Sequence, residues 1–214
     1  MHSDFWLSRW REGRTGFHRD VVHEDLIRFA DRFLGDGPHR VLVPLCGKTL
    51  DLHWLAAQGH EAVGIELSPI AAEAVFEGKH GVEEDTLGPF VRRRSGRLTV
   101  LQGDVFDATP ELLGPIDRVW DRAAVVALDP GRRQRYAVTI SALLRPGGLL
   151  LQNAFEYDQE KMDGPPFSVS THELAALYAG WPREELLREA LTEGKFKERG
   201  LDSFVVTRSL FTRP

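Results

Sequence analysis

The stretch Arg40-Val-Leu-Val-Pro-Leu-Cys-Gly-Lys-Thr-Leu-Asp51, with Gly59-His-Glu-Ala-Val-Gly-Ile-Glu66 after it, constrains this chain more than any other. It reads as a strand, a tight turn, a helix and a second strand that ends in a carboxylate. Residues 40–44 are almost continuously apolar, as a strand covered on both faces of a parallel sheet should be. Gly47 stands in the turn, where backbone must approach a ligand. Glu66 lies 19 positions later, where an α/β fold sets an acid against ribose hydroxyls. The three-glycine pattern that seats a pyrophosphate is absent, because Pro44, Leu45 and Cys46 precede the single glycine of the turn. A nucleoside without phosphates fits this turn better.

The rest of the chain extends the same alternation. Trp6 and Trp10, four apart, share a face of a first helix, and Val22, Leu26, Ile27, Ala30 and Phe33 make the apolar stripe of a second, stopped by Gly35-Asp-Gly-Pro38. Residues 49–58 are expected as the crossover helix with Gly59 as its C-cap. Ser68-Pro69 is an N-cap and first helical residue, opening a helix to about residue 77. Residues 78–96, charged and glycine-rich without a clear period, are expected to form an insertion or long loop, with Arg92-Arg-Arg94 a solvated run. Strands are expected at 97–101 and 116–120, leading to turn aspartates Asp104 and Asp121, then a helix at 130–144 and a strand at 149–154. That order argues for a parallel α/β sheet with right-handed crossovers. Ser170-Thr171 opens a last helix, and 184–191 with 203–211 read as late strands pairing along an antiparallel edge.

Size and charge limit the function. A chain of 214 residues, 42% hydrophobic and 28% charged, suits one domain over residues 1–214 around a single core. A formal net charge of -5 gives no electrostatic reason to expect nucleic acid. Gly148-Leu-Leu-Leu151 is far too short to span a bilayer. One cysteine cannot close an internal disulfide, and Asp4, Arg9, Arg11 and Glu12 interrupt what a signal peptide would need. A cytoplasmic monomer without membrane partners is expected, and no His/Cys spacing or acidic calcium loop suggests a metal.

Six blocks then stand in a recognisable order: Phe5-Trp6 with Trp10; Gly16-Phe-His18; Val43-Pro-Leu-Cys-Gly-Lys48; Gly64-Ile-Glu-Leu-Ser68; Trp120-Asp-Arg-Ala-Ala124; and Tyr157-Asp-Gln159 with Gly164-Pro-Pro-Phe-Ser-Val169. In order and spacing the chain closely resembles the thiopurine S-methyltransferase family, its bacterial members in particular, from Phe5 to about Phe211. The resemblance implies a Rossmann-like class I methyltransferase fold: a mostly parallel seven-stranded sheet with an antiparallel C-terminal edge and N-terminal covering helices. It further implies binding of S-adenosylmethionine and methylation of sulfur, or of selenium or tellurium, on small molecules. Residues 78–96 and 183–197 match no family block; such regions shape the acceptor pocket and leave the acceptor's identity open.

The resemblance places Trp10 on the cofactor, Phe17 against the acceptor, and Arg122 between the two. Trp6 and Trp10 either cover a sulfonium by cation-π attraction or pack a helix into the core. Leu45 and Gly47 are expected at the methionine part of the ligand, and Glu66 at the ribose. Asp104 with the backbone of Val105 reads as a seat for the adenine edge, with a plain turn aspartate as the competing reading. Arg122 is either a selector for thiolate or other anionic acceptors or a surface partner of Asp121. Pro166 and Phe167 belong to a proline-stiffened loop that is either a lid on the acceptor or a plain connection. Cys46 is expected to be structural. Methyl transfer from a sulfonium to a soft anion needs alignment and a dry pocket more than acid or base, so no catalytic dyad is expected. The rivals are a halide and thiol methyltransferase, an NAD-dependent oxidoreductase, and a non-catalytic cofactor-binding protein.

Overall fold

The structure is a computed structural model that describes residues 3–191 and 200–214. Its elements run α1 (Ser3–Arg11), α2 (Glu24–Arg28), α3 (Ala30–Phe33), β1 (Arg40–Pro44), α4 (Asp51–Ala57), β2 (Glu61–Glu66), α5 (Pro69–Ala74), β3 (Glu83–Leu87), β4 (Phe90–Ser95) and β5 (Leu98–Gln102). They continue with α6 (Pro110–Leu113), β6 (Ile116–Arg122), α7 (Pro130–Leu143), β7 (Leu144–Tyr157), α8 (Thr171–Leu177), β8 (Arg183–Leu191) and β9 (Phe204–Thr212). The strands form one sheet in the order β3-β4-β5-β2-β1-β6-β7-β9-β8. The five central strands β5, β2, β1, β6 and β7 are parallel, and both edges are antiparallel.

The alternation of side chains on β1 divides the core. Val41 and Val43 join Phe33, Leu55, Val100, Trp120 and Leu151 on one face, while Leu42 joins Val63, Val119, Tyr136, Ile140 and Leu150 on the other. The chain leaves β1 toward β2 and β5, then returns to build β6 and β7 on the opposite side. This puts the topological switch at the carboxyl ends of β1 and β6, the crevice where α/β sheets bind ligands. Buried Asp51 ties the parts together: Oδ2 accepts from Trp120 Nε1 (2.8 Å) and Oδ1 from the His23 backbone N–H (2.8 Å).

Three expectations need correction. The sheet has nine strands rather than seven among the described residues, because the expected loop at 78–96 contains the β3–β4 hairpin, turned by Gly88 (φ 57°). Its charges are cross-strand pairs: Arg92 with Asp85 (2.5 Å), Arg93 with Glu84 (2.8 Å) and Arg94 with Glu83 (3.1 Å), so the arginine run lies on β4, between the edge strand β3 and β5. The second N-terminal helix is two short ones, because Phe29 leaves helical geometry (φ -104°, ψ 12°); Leu26 and Phe33 are buried, but Ile27 faces out. Ser68 and Ser170 cap α5 and α8, accepting from Ala71 N (3.4 Å) and Glu173 N (3.1 Å). Residues 192–197 of the unmatched C-terminal stretch lie outside the described residues. No helix among the described residues is long and apolar enough to cross a membrane.

Candidate active site

The loops that follow β1, β2, β5 and β6 wall a narrow slot of about 170 Å³. Trp6, Trp10, Leu45, Gly47, Glu66, Asp104, Val105 and Arg122 all line it. Sequence reasoning gave no site role to His18, Leu67, Phe106 and Arg132, which line it too. Leu45 (φ 48°) and Ala123 (φ 60°) are the two non-glycine residues with left-handed backbone among the described residues, and both sit in its wall. Such strain costs of order 1–3 kcal/mol and persists where the surroundings hold it, which in folded proteins is often a ligand site.

Here the surroundings are explicit. Cys46 N donates to Ile65 O (3.0 Å), and Gly47 N donates to Glu66 Oε2 (2.7 Å), so the turn after β1 is pinned to the end of β2. Glu66 Oε1 accepts from Ser68 N (2.7 Å). Burial pushes the Glu66 carboxyl above the ordinary carboxylate range, against the pull of the Ser68 and Gly47 backbone N–H groups. The carboxylate also lines the slot, where a ribose hydroxyl could donate to it. Asp104 Oδ1 accepts from Phe106 N (3.0 Å), capping a short turn, so the local reading of Asp104 holds whatever else its second oxygen does. Cys46 is buried, and burial with the Glu66 charge raises its thiol pKa well above the ordinary value. A thiol so held is inert.

Aromatic rings close the slot from α1. Trp10 is buried with its indole edge against Gly47, where an added Cβ would lie 3.2 Å from Cζ2. Phe17 meets Trp6 edge-on at 5.3 Å and Trp10 at 5.6 Å between ring centroids. A slot with two indoles, one buried carboxylate and no phosphate-seating glycines suits a nucleoside with a cationic centre.

A larger cavity of about 1360 Å³ adjoins the slot. The two share Trp6, Phe17, His18, Arg122, Ala123 and Ala127. Arg122 Nη2 donates to Phe17 O (3.1 Å), and among the described residues Arg122 has no carboxylate within ion-pair distance. Desolvation lowers its pKa, with the Asp51 charge opposing. The expected alternative, a pair with Asp121, does not form: Asp121 is buried and accepts from Tyr136 OH (2.8 Å), Gln152 Nε2 (2.9 Å) and Ala124 N (2.7 Å). It thereby holds the turn that carries Arg122.

His23 lines the outer cavity and His18 both; desolvation lowers both pKa values, with Arg122 adding to His23 and Lys48 to His18. Pro165 and Pro166 face the outer cavity, and Tyr157 OH donates to Pro166 O (2.5 Å). Phe167 lines neither cavity. Its ring packs against Gly164 and beneath the Arg133 guanidinium (5.9 Å), and its N–H donates to Val126 O (2.7 Å), which fixes the loop from behind. The polar residues Asn153, Asp25 and Arg208 in the same wall were missed; each has a polar neighbour in the sequence, Gln152, Glu24 and Thr207, so nothing local set it apart.

Comparison with known proteins agrees with this geometry. A family profile described as thiopurine S-methyltransferase matches residues 1–213. Thiopurine S-methyltransferase of Pseudomonas aeruginosa strain UCBPP-PA14 is 45% identical over 206 residues, covering 94% of each chain. That of Bordetella petrii is 43% identical over 208 residues, again 94% of each. Among solved structures, the Burkholderia thailandensis 1,6-didemethyltoxoflavin-N1-methyltransferase with bound 1,6-didemethyltoxoflavin and S-adenosylhomocysteine has a TM-score of 0.66 at 19% identity, over 99% of this chain and 87% of that one. TehB from Haemophilus influenzae has a TM-score of 0.63 at 15% identity, over 92% of this chain and 64% of that one.

Proposed function

The chain belongs to the thiopurine S-methyltransferase family and is an S-adenosylmethionine-dependent methyltransferase; from that premise we propose that it methylates sulfur of aryl or heteroaryl thiols, or the selenium or tellurium of small molecules. One observation carries this reading: a narrow slot meets an open chamber across a gate of Trp6, Phe17, His18, Ala123, Ala127 and Arg122, and Arg122 has no carboxylate partner among the described residues. The dinucleotide oxidoreductase alternative is set aside with the family.

When bound, the cofactor supplies an electrophilic methyl group on a cationic sulfur. Trp6 and Trp10 would hold that charge by their ring faces, Leu45 and Gly47 would flank the amino-acid end, Glu66 would accept from the ribose, and Asp104 with the Val105 backbone would meet the adenine. Arg122 would draw a thiolate or selenolate to the gate, while Phe17 and Pro166 wall it and Phe167 supports the loop that carries Pro166. Excluding water leaves such an anion poorly solvated and reactive. No side chain need remove a proton, because thiols and selenols ionise within reach of neutral pH. The protein works in this reading as a cytoplasmic monomer on small molecules alone.

His18 lines both cavities, which favours a second reading in which its imidazole accepts the thiol proton. The experiment that tests the main proposal is a product assay by mass spectrometry with S-adenosylmethionine and separate thiol, selenium, tellurium and halide acceptors. Thioethers or their heavier analogues, formed one for one with S-adenosylhomocysteine, are expected. Methyl halide as the product, with thiols inert, would move the protein to the halide group.

A further inference from the structure

The β3–β4 hairpin lines neither the slot nor the outer cavity, against the expectation that residues 78–96 shape the acceptor pocket. It stands at the edge of the sheet beyond β5, and the chain that leaves β5 runs through Gly103, Asp104, Val105 and Phe106, all in the wall of the slot. The pairing of Val91 on β4 with Gln102 on β5 sets Phe90 beside Gly103. Phe90 is only 1% exposed, and a Cβ added to Gly103 would lie 2.5 Å from its Cδ1 and 2.9 Å from its Cε1. Carbon atoms rest in contact at about 3.5 Å or more, so the ring fills the space that any other residue at 103 would need.

The same hairpin grips the other end of this segment. A Cβ added to Gly88 in the hairpin turn would lie 3.0 Å from Leu112 Cδ2, so the tip packs on α6. Leu87, Phe90, Val105, Phe106, Leu112 and Leu113 belong to one hydrophobic cluster. Gly103 N donates to Glu66 O (2.9 Å) at the end of β2, and Asp104 Oδ1 accepts from Phe106 N (3.0 Å). Residues 103–112 are therefore held twice over, by backbone bonds to β2 and within their own turn, and by side-chain packing against the hairpin. Phe90 is the part of that packing that meets the segment where it leaves β5.

Resting on the reading in which Asp104 and the Val105 backbone meet the adenine, we propose that Phe90 is a positioning residue for recognition of the cofactor's base. Its ring sets how far the backbone at Gly103 stands from β4, and with it where Asp104 and Val105 present their polar groups. Phe90 acts only through Gly103, whose missing side chain lets the ring reach the backbone. Base recognition depends on such placement, because a hydrogen bond weakens steeply outside a narrow range of distance and angle. A carboxylate only accepts and a backbone N–H only donates, so this pair suits the amino group and ring nitrogen of adenine. Hypoxanthine reverses both groups.

The test compares, by calorimetry, S-adenosylhomocysteine with its hypoxanthine analogue, S-inosylhomocysteine. Wild type should bind the adenine compound about tenfold or more tightly, since the analogue leaves the loop's polar groups unpaired. Phe90→Leu withdraws the flat ring and Gly103→Ala pushes the backbone off it, so each should cut that preference about three- to tenfold through weaker binding of the adenine compound. Phe33→Leu is the control: Phe33 is fully buried in the core on the other face of the sheet, so its variant should lose Tm and keep the wild-type preference. A preference kept in full by Phe90→Leu with Tm lowered would overturn the proposal and leave the ring as packing, and so would a preference lost equally in Phe33→Leu. Should Phe90→Leu not fold, Gly103→Ala decides, since a preference it keeps in full overturns the proposal. Wild type that binds the two compounds equally would instead overturn the reading of Asp104 and Val105, and this inference with it.

Discussion

Glu66 clamps the turn after β1 and the loop after β2 with one buried carboxylate, and that double use sets what happens when it changes. Its bonds to Gly47 N and Ser68 N shape the walls of the slot that Glu66 itself lines. Glu66→Gln turns one acceptor oxygen into a donor and removes the charge, so S-adenosylhomocysteine should bind about tenfold or more weakly, from the 1.5–3 kcal/mol typical of a charged hydrogen bond. In wild type, affinity should be full while Glu66 is ionised and fall as pH drops through its burial-raised pKa, above the usual carboxylate range; Glu66→Gln should flatten this limb. Folding carries the opposite sign. The folded protein holds this proton more tightly than the unfolded chain, so the Glu66 contribution to stability declines as pH rises from the ordinary carboxylate pKa through the raised one. Calorimetric titration across acid to neutral pH checks the binding limb, and an unchanged Kd in Glu66→Gln would reduce Glu66 to a turn clamp. Trp10→Phe should keep most cofactor affinity and Trp10→Ala lose much of it, since an aromatic ring in the slot wall can be replaced by phenyl but not by methyl. Equal S-adenosylhomocysteine affinity in both variants, alongside a lowered Tm in Trp10→Ala, would leave Trp10 as packing. Gly47 and Glu66 were legible because strand, turn and acid lie close in sequence. Asn153 was not, because its partner in the cavity wall is Asp25, 128 residues away.

Elements that announce themselves by local chemistry were legible too. Ser68 and Ser170 mark helix starts through side-chain bonds to their own next turn, and β1 is apolar because it is covered on both faces. The β3–β4 hairpin was hidden for the opposite reason: an exposed edge carries charge on both faces, and its order lies in pairs across the hairpin that no periodicity reveals. The loop at Gly164 to Phe167 stands out in the sequence by its prolines, but that Phe167 packs away from both cavities depends on Val126 and Arg133, far away in sequence. At this scale Tyr157→Phe is informative, since it deletes the hydroxyl bonded to Pro166 O. Loosening the loop should raise the acceptor KM about two- to tenfold, the worth of one hydrogen bond, with the Kd for S-adenosylhomocysteine unchanged. Initial-rate and calorimetric measurements separate the two, and a shift in cofactor affinity with the acceptor KM intact would contradict a lid role.

For the whole molecule, the order β5-β2-β1-β6-β7 puts four loops at one end of the sheet, and α1 closes over them with Trp6 and Trp10. A ligand held between these parts binds only the folded chain. S-adenosylhomocysteine at a hundredfold over its Kd should therefore add about 2.7 kcal/mol to stability and raise Tm, while NAD should leave Tm unchanged. The reverse pattern in a thermal-shift assay would contradict the slot's assignment. The central claim is that the protein aligns, dries and charges the gate while the acceptor brings its own anion. It is tested most directly by kcat/KM against pH for a series of aryl thiols of differing pKa, at saturating methyl donor. The account predicts that the ascending limb moves with the pKa of each thiol. A limb that stays at one pH across the series would assign the proton to a side chain of the enzyme, His18 first among them, and would contradict the account.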